Sequence, residues 1–323
     1  MKAWILKTAV QRTISWLPWS HTWNELLQRY VTKGLVLDAK TFESKVNCCR
    51  RHLEHYRTFS PNPRNEFTVQ EIGTGWFPII PIGLYLCGAG RIVTYDLRSF
   101  LHADTFRRTL ELFAEFDRTG QLLQLLPMVQ ADRMQRLKDI LSPANRESPE
   151  VSLARMNIHA VIQDVRDGTT PAGSIDLIFS NFVLEHIEPE EMALLFAEFK
   201  RVLSPAGVMT HFIGLADQYA GFDRSITEFN FLQYSKREWR LFNNSIIPLN
   251  RLRISDYRKL LVDGGYQILK ELSTSGSLDE LREVQLAAEF RNYSEEDLVV
   301  LWSWLVARPA QASSDRPRVE NKR

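Results

Sequence analysis

Val69-Gln70-Glu71-Ile72-Gly73-Thr74-Gly75-Trp76 runs from apolar residues into a glycine turn, and twenty-one residues past the second glycine the chain reads Val93-Thr94-Tyr95-Asp96-Leu97. The first stretch reads as a short strand opening into a loop, the second as a strand that ends on an acidic residue. In a doubly wound α/β sheet both ends lie at the carboxyl edge of the strands, where ligands bind at the topological switch point. Glycines let the backbone come close to a ligand, and Asp96 is placed to accept hydrogen bonds from both hydroxyls of a ribose. Two details separate this turn from a dinucleotide fingerprint. Glu71 precedes the first glycine by two residues, and the position of the third glycine in G-x-G-x-x-G holds Pro78. A pyrophosphate cradle is therefore not expected.

The chain around this pair is 323 residues long and 44% hydrophobic, enough for one large α/β domain with additions. A net charge of +1 gives no global field that would attract a polyanion, so nucleic acid is not expected as a partner. Cys48, Cys49 and Cys87 are too few and too badly spaced for a disulfide framework or a zinc site. They suit a reducing compartment, and a cytoplasmic location is the expectation. No stretch reaches the roughly 18–20 apolar residues that span a bilayer. The first residues lack a long apolar core and a cleavage site, so no signal peptide is expected.

Residues 1–62 read as a helical N-terminal extension. Within 1–60 there are ten Lys and Arg against four Asp and Glu, and Trp4, Trp16, Trp19 and Trp23 are half of the chain's eight tryptophans. A helix is expected near 22–32 and another over 41–58, where Phe42, Val46, Cys49, Leu53 and Tyr56 repeat at steps of three and four. Residues 60–65, rich in Pro and Asn, punctuate the chain before the sheet.

Over 63–308 strands alternate with helices, which argues for a parallel sheet. Strands are expected at 68–72, 91–96, 159–165, 174–180, 208–213, 267–272 and 299–307, the last a candidate closing strand. A helical insertion fills about 100–155, with helices at 105–115 and 131–141 and a polar loop at 142–150. Ser255 is the expected N-cap of a helix that ends at Gly264-Gly265. The polar residues 309–323 read as a disordered tail.

Further matches follow the opening pair. Asp164-Val165 follows the third strand, Ser180-Asn181-Phe182-Val183-Leu184-Glu185-His186-Ile187 follows the fourth, and Leu203-Ser204-Pro205-Ala206-Gly207 precedes the fifth. With Glu71-x-Gly73-x-Gly75 and Asp96, these stretches resemble the class I S-adenosylmethionine-dependent methyltransferases over residues 67–215, in particular their small-molecule, methyltransferase-11-like branch. The departures are Trp76, where that family often has a third glycine, and the long insertion after the second strand.

The resemblance implies a Rossmann-like, doubly wound α/β sheet of seven strands, the last antiparallel. It implies S-adenosyl-L-methionine as cofactor. Glu71, Gly73, Thr74 and Gly75 would hold its methionine part, Asp96 and Leu97 its ribose, Asp164 and Val165 its adenine, with Asn181 nearby. The implied reaction is methyl transfer to an unidentified acceptor, a small molecule or a sugar or lipid intermediate. Two other classes stay open: a binding protein that keeps the fold without turnover, and a different nucleotide-dependent enzyme on a Rossmann-like sheet.

Catalytic chemistry beyond the cofactor is less legible. His211, near the end of the fifth strand and followed by Asp217, Tyr219, Asp223, Glu228 and Asn230, is the candidate general base. The bland reading makes it a satisfied strand histidine. His211, Asp217 and Asp223 match no metal-ligand spacing, so no metal is expected. Glu185-His186 is read as ordering the loop after the fourth strand. Residues 1–60 are read as a cap over the active site, with Trp16, Trp19 and Trp23 packed on the catalytic domain. A peripheral membrane contact through this basic, tryptophan-rich region is the alternative.

Overall fold

A computed structural model describes residues 3–15, 36–142, 144–244 and 248–310. The helix expected near 22–32, the packing of Trp16, Trp19 and Trp23, and the tail beyond residue 310 lie outside the described residues. The elements run α1 (Ala3–Ser15), α2 (Ala39–Phe59), β1 (Phe67–Ile72), α3 (Ile79–Leu86) and β2 (Ala89–Asp96). The insertion follows as α4 (Ala103–Arg118), α5 (Gln121–Leu125), α6 (Ala131–Leu141) and α7 (Pro149–Arg155). Then come β3 (Ile158–Ile162), β4 (Ile175–Asn181), α8 (Pro189–Val202), β5 (Leu203–Gly214), α9 (Lys236–Phe242), α10 (Ile254–Asp263) and β6 (Tyr266–Ser275). Two short helices, α11 (Leu278–Arg282) and α12 (Glu295–Leu298), lead into β7 (Val300–Pro309).

Among the described residues the strands form one seven-stranded sheet in the order β3-β2-β1-β4-β5-β7-β6. The first five strands in the chain pair in parallel, and β7 runs antiparallel between β5 and β6. The order reverses between β1 and β4, which puts the switch point beside the loop after Ile72. No helix among the described residues is long and apolar enough to cross a membrane.

Residues expected as an N-terminal extension supply part of the main core. α2 presents Phe42, Val46, Cys49, Leu53 and Tyr56, all buried, to the sheet and to α3, whose eight residues are buried all round. The insertion packs on the same helix: Phe42 meets Phe113 and Phe116 of α4 at 4.8 and 4.9 Å between ring centroids. The opposite face of the sheet is covered by α8 and α10 through Phe196, Phe199, Ile254 and Tyr257. A third cluster gathers beyond β5, around Phe229, Phe231, Trp239 and Phe290.

Three local readings need correction. The polar loop expected over 142–150 gives way at Pro149 to α7, because Ser148 caps it by accepting from Val151 N. The fifth strand begins five residues earlier than expected, at Leu203, and the turn Ser204-Pro205-Ala206-Gly207 lies within it as a bulge. Ser255 is not the N-cap of α10. Arg253 takes that place because its buried guanidinium donates to the carbonyls of Leu215, Leu298 and Val300, which fixes the start of the helix. Ser255 instead donates its hydroxyl to Asp297.

Candidate active site

The loop after β1 is shaped by its two glycines. Gly73 and Gly75 adopt φ of 78° and 65°, a region that costs side-chain-bearing residues strain. A Cβ on Gly73 would also overlap Val183, from the loop after β4, so the closeness of two loops depends on this glycine. Gly73 N donates to Tyr95 O (2.8 Å) and Gly75 N donates to Asp96 Oδ2 (2.9 Å), so the β1 loop is fastened to the end of β2.

Glu71 and Asp96 stand close enough to interact. Burial, then the charge of Asp96, pushes Glu71 well above the ordinary carboxyl range, while nearby Lys45 and Thr74 pull the other way. Burial also raises Asp96, against the amides of Gly75, Leu97 and Thr74 that favour its charge. Glu71 Oε2 is buried with no hydrogen-bond partner among the described residues. Such a pair of carboxylates suits a cationic ligand, which would favour the charged form of both.

Apolar side chains are left in solvent at the ends of β2, β3 and β4: Leu97 is 69% exposed, Ile162 52% and Phe182 46%. Asp164 caps the turn that follows β3 by accepting from Arg166 N (2.9 Å), and its carboxylate takes two bonds from the Arg166 side chain, at 2.9 and 2.6 Å. That guanidinium, foremost, holds the Asp164 carboxyl below its ordinary range. Val165, next in the turn, is buried. Trp76 turns to the loop after β2, stacking on His102 at 5.6 Å and meeting Phe100 at 4.9 Å.

The loop after β4 holds features the sequence did not announce. Phe182 adopts φ of 53°, rare for an aromatic residue, while its amide donates to Phe212 O and its ring packs on Phe212 at 4.5 Å. Asn181 Nδ2 donates to His52 Nε2 of α2 (2.9 Å), and His52 packs between Phe179 and Trp304. Neighbouring His55 bonds Thr210 of β5 (2.8 Å). Burial lowers both imidazoles, His55 to about 4. Two histidines three apart on a helix were visible in the sequence. Nothing there tied them to Asn181 or Thr210.

Glu185 and His186 order this loop. Glu185 Oε1 accepts from Gly214 N (3.2 Å), its backbone carbonyl accepts from Asn250 N, and burial raises the carboxyl to about 8. His186 Nδ1 bonds Pro248 O (2.6 Å).

His211 lies inside the sheet rather than on a cleft. It is 1% exposed, shares a hydrogen bond with Ser180 Oγ (2.8 Å) and stacks on Phe199 of α8 at 5.7 Å. Burial lowers its pKa to about 3. Asp217 accepts from Asn230 Nδ2 and Asp223 from the α1 amide of Trp4, so the three residues weighed as metal ligands engage different partners.

The strand order, the antiparallel β7 and the acid-and-glycine edge at the switch point are thus on one scaffold, and residues 119–210 match the family model of the methyltransferase domain. That segment is similar to the methyltransferase domain, and the fold is a Rossmann-like seven-stranded sheet with an antiparallel closing strand. The match begins after Asp96, so the glycine loop of this methyltransferase fold lies outside the matched segment. Among solved structures, the chain is similar to geranyl diphosphate C-methyltransferase from Streptomyces coelicolor A3(2), at 13% identity over 80% of this chain and 79% of that one (TM-score 0.46). It is also similar to an S-adenosylmethionine-dependent methyltransferase from Methanosarcina mazei, at 13% identity over 76% and 94% of the two chains (TM-score 0.41). No curated protein sequence matches the chain.

Proposed function

We propose that the chain is an S-adenosylmethionine-dependent methyltransferase acting on a small molecule or a sugar or lipid intermediate. The observation that carries the reading is the carboxylate pair, Glu71 and Asp96, set on a glycine loop at the switch point with Glu71 Oε2 buried and unpartnered among the described residues. Glu71 would meet the cationic methionine end of the ligand, and Asp96 beside it would accept from the ribose hydroxyls. Leu97 and Ile162 are the apolar surfaces on which an adenine would rest, with Asp164 beside them.

When bound, the cofactor supplies a methyl group on a positively charged sulfur, already activated for displacement. The chain's part is then alignment, which for well-oriented reactants contributes about 7–11 kcal/mol. Gly73 and Gly75 bring the backbone close to the ligand, and Phe182, braced on Phe212, walls the side from which an acceptor would approach. His211, enclosed against Phe199, has no route to an acceptor as a base. An acceptor that presents its own lone pair needs none.

The test is a ligand comparison. S-adenosylhomocysteine should raise the melting temperature, as mass action requires of a ligand that binds the folded state, whereas NAD and ATP should not. A shift with NAD or ATP and none with S-adenosylhomocysteine would discard the reading.

A further inference from the structure

α1 carries its apolar residues on two opposite faces, and only one of them is packed. Trp4 and Thr8, one turn apart, are buried. The Trp4 ring lies 5.8 Å from Tyr219, 5.8 Å from Tyr234 and 4.9 Å from Phe242, and its amide donates to Asp223 Oδ2 (3.0 Å). The opposite face carries Leu6, 53% exposed, and Val10, 38% exposed, with Ala3, Ala9 and Thr13 around them. A helix resting on a soluble domain ordinarily turns charged and polar residues outward. Here the outward face has no charge, and α1 contains no acidic residue.

The two cations described on α1 border that face, one on each side. Lys7 Nζ sits 4.4 Å from the centre of the Phe222 ring, and Arg12 donates to the carbonyls of Arg240 (2.8 Å) and Leu241 (2.6 Å). Lys7 thereby lies on one exposed apolar ring and Arg12 on the backbone of a residue whose apolar side chain is exposed, since Phe222 is 47% and Leu241 62% exposed. Arg224, Lys236, Arg237 and Arg240 are exposed in the same region; of the acids there, Glu238 is bonded to Ser235, Glu190 pairs with the Lys236 ammonium and Glu289 accepts from the Lys236 amide, which leaves the arginines to carry the charge.

We propose that this face, Leu6 and Val10 with Phe222 and Leu241 beside them, docks on an anionic lipid surface. An apolar helix face bordered by cations is the pattern of a helix lying in the interface plane, where the apolar side chains enter the acyl boundary and the cations meet headgroup charge. Charge decides between occupants. A second copy would bring two sets of like-signed side chains together, and a stable interface would need about 800 Å² from each partner. An anionic bilayer complements the cations and buries the same apolar side chains.

The test is co-sedimentation of the full chain with phosphatidylcholine vesicles, with and without about one-third phosphatidylglycerol, at moderate salt. Binding is expected to the anionic vesicles and to fall as salt is raised. Leu6→Asp with Val10→Asp should weaken it at least tenfold while thermal unfolding and S-adenosylhomocysteine affinity stay unchanged, since both side chains stand in solvent. The milder pair Leu6→Ser with Val10→Ser should move the same way, and Arg224→Glu with Arg237→Glu should weaken binding most at low salt. Equal binding to neutral vesicles, no binding to either, or unchanged binding by the Leu6 and Val10 variants would overturn the proposal. So would gel filtration showing a dimer that the same variants dissociate.

Discussion

The two sides of the sheet's carboxyl edge are built by different means. On the β1–β2–β3 side each candidate group sits at the end of its own strand, and the bonds that shape it stay within one turn or one strand–helix–strand unit: Arg166 to Asp164, Gly75 N to Asp96. On the β4–β5 side the side chains are held by partners far away in sequence. Asn181 is held by His52, Thr210 by His55, and the segment after β5 by Trp4 through Asp223. A ligand site made from strand ends can be specified locally. A surface assembled from an N-terminal helix and a late loop exists only once the whole chain has closed.

If the two sides are separable, substitutions should separate them. The largest expected effect is Trp4→Ala. Loss of a fully enclosed tryptophan costs about 3–5 kcal/mol. Hydrogen exchange should show α1 losing that much protection, while calorimetry should find S-adenosylhomocysteine affinity nearly unchanged. Equal damage to both would mean that the two sides are one unit.

Asp96→Ala is the converse. It should cost about 2–4 kcal/mol of cofactor affinity, the range for a buried charged hydrogen-bonding group, with little change in α1 exchange. Unchanged affinity in a folded variant would remove Asp96 from the site.

His211→Ala should act on stability and not on turnover. It strips a buried hydrogen bond from Ser180 and the stack on Phe199, at a cost of about 1–3 kcal/mol in denaturant unfolding. A large fall in turnover at unchanged stability would restore it as a catalytic group.

The last comparison is pH, and its sign differs between groups on the β4–β5 side. His55 and His211 have folded pKa values depressed to about 4 and about 3, so the unfolded chain binds protons more readily. Their stabilising contribution is present above the ordinary imidazole value and is lost as pH falls from there toward those values. Glu185 is raised to about 8, so its contribution is present below the ordinary carboxyl value and is lost as pH rises to 8. Melting temperature should therefore fall on the acid side less steeply in His55→Gln. Glu185→Gln should gain more over wild type at pH 8 than at pH 5. A gain independent of pH would show that Glu185 is charged in the folded chain.

The same division marks what the residues announced in advance. Strand ends were legible because their signal is local: alternating apolar residues, then glycine or acid, place Glu71, Gly73, Gly75, Asp96 and Asp164 at one edge without reference to anything distant. The stripe on α2 was equally legible as Phe42, Val46, Cys49, Leu53 and Tyr56 at helical spacing, though not which surface it would cover. His211 shows the limit. In sequence it is a polar residue near the end of a strand and could face a cleft or a core. The pairing of β5 with β4 and the packing of α8 turned it inward against Phe199. Burial is set by neighbours from other elements, and periodicity along one strand does not name them. Trp4 makes the same point from the other direction. Its composition marked it as apolar and aromatic, but the cage of Tyr219, Tyr234 and Phe242 is assembled from residues more than two hundred positions away. That cage decides which face of α1 is hidden and which is left in solvent.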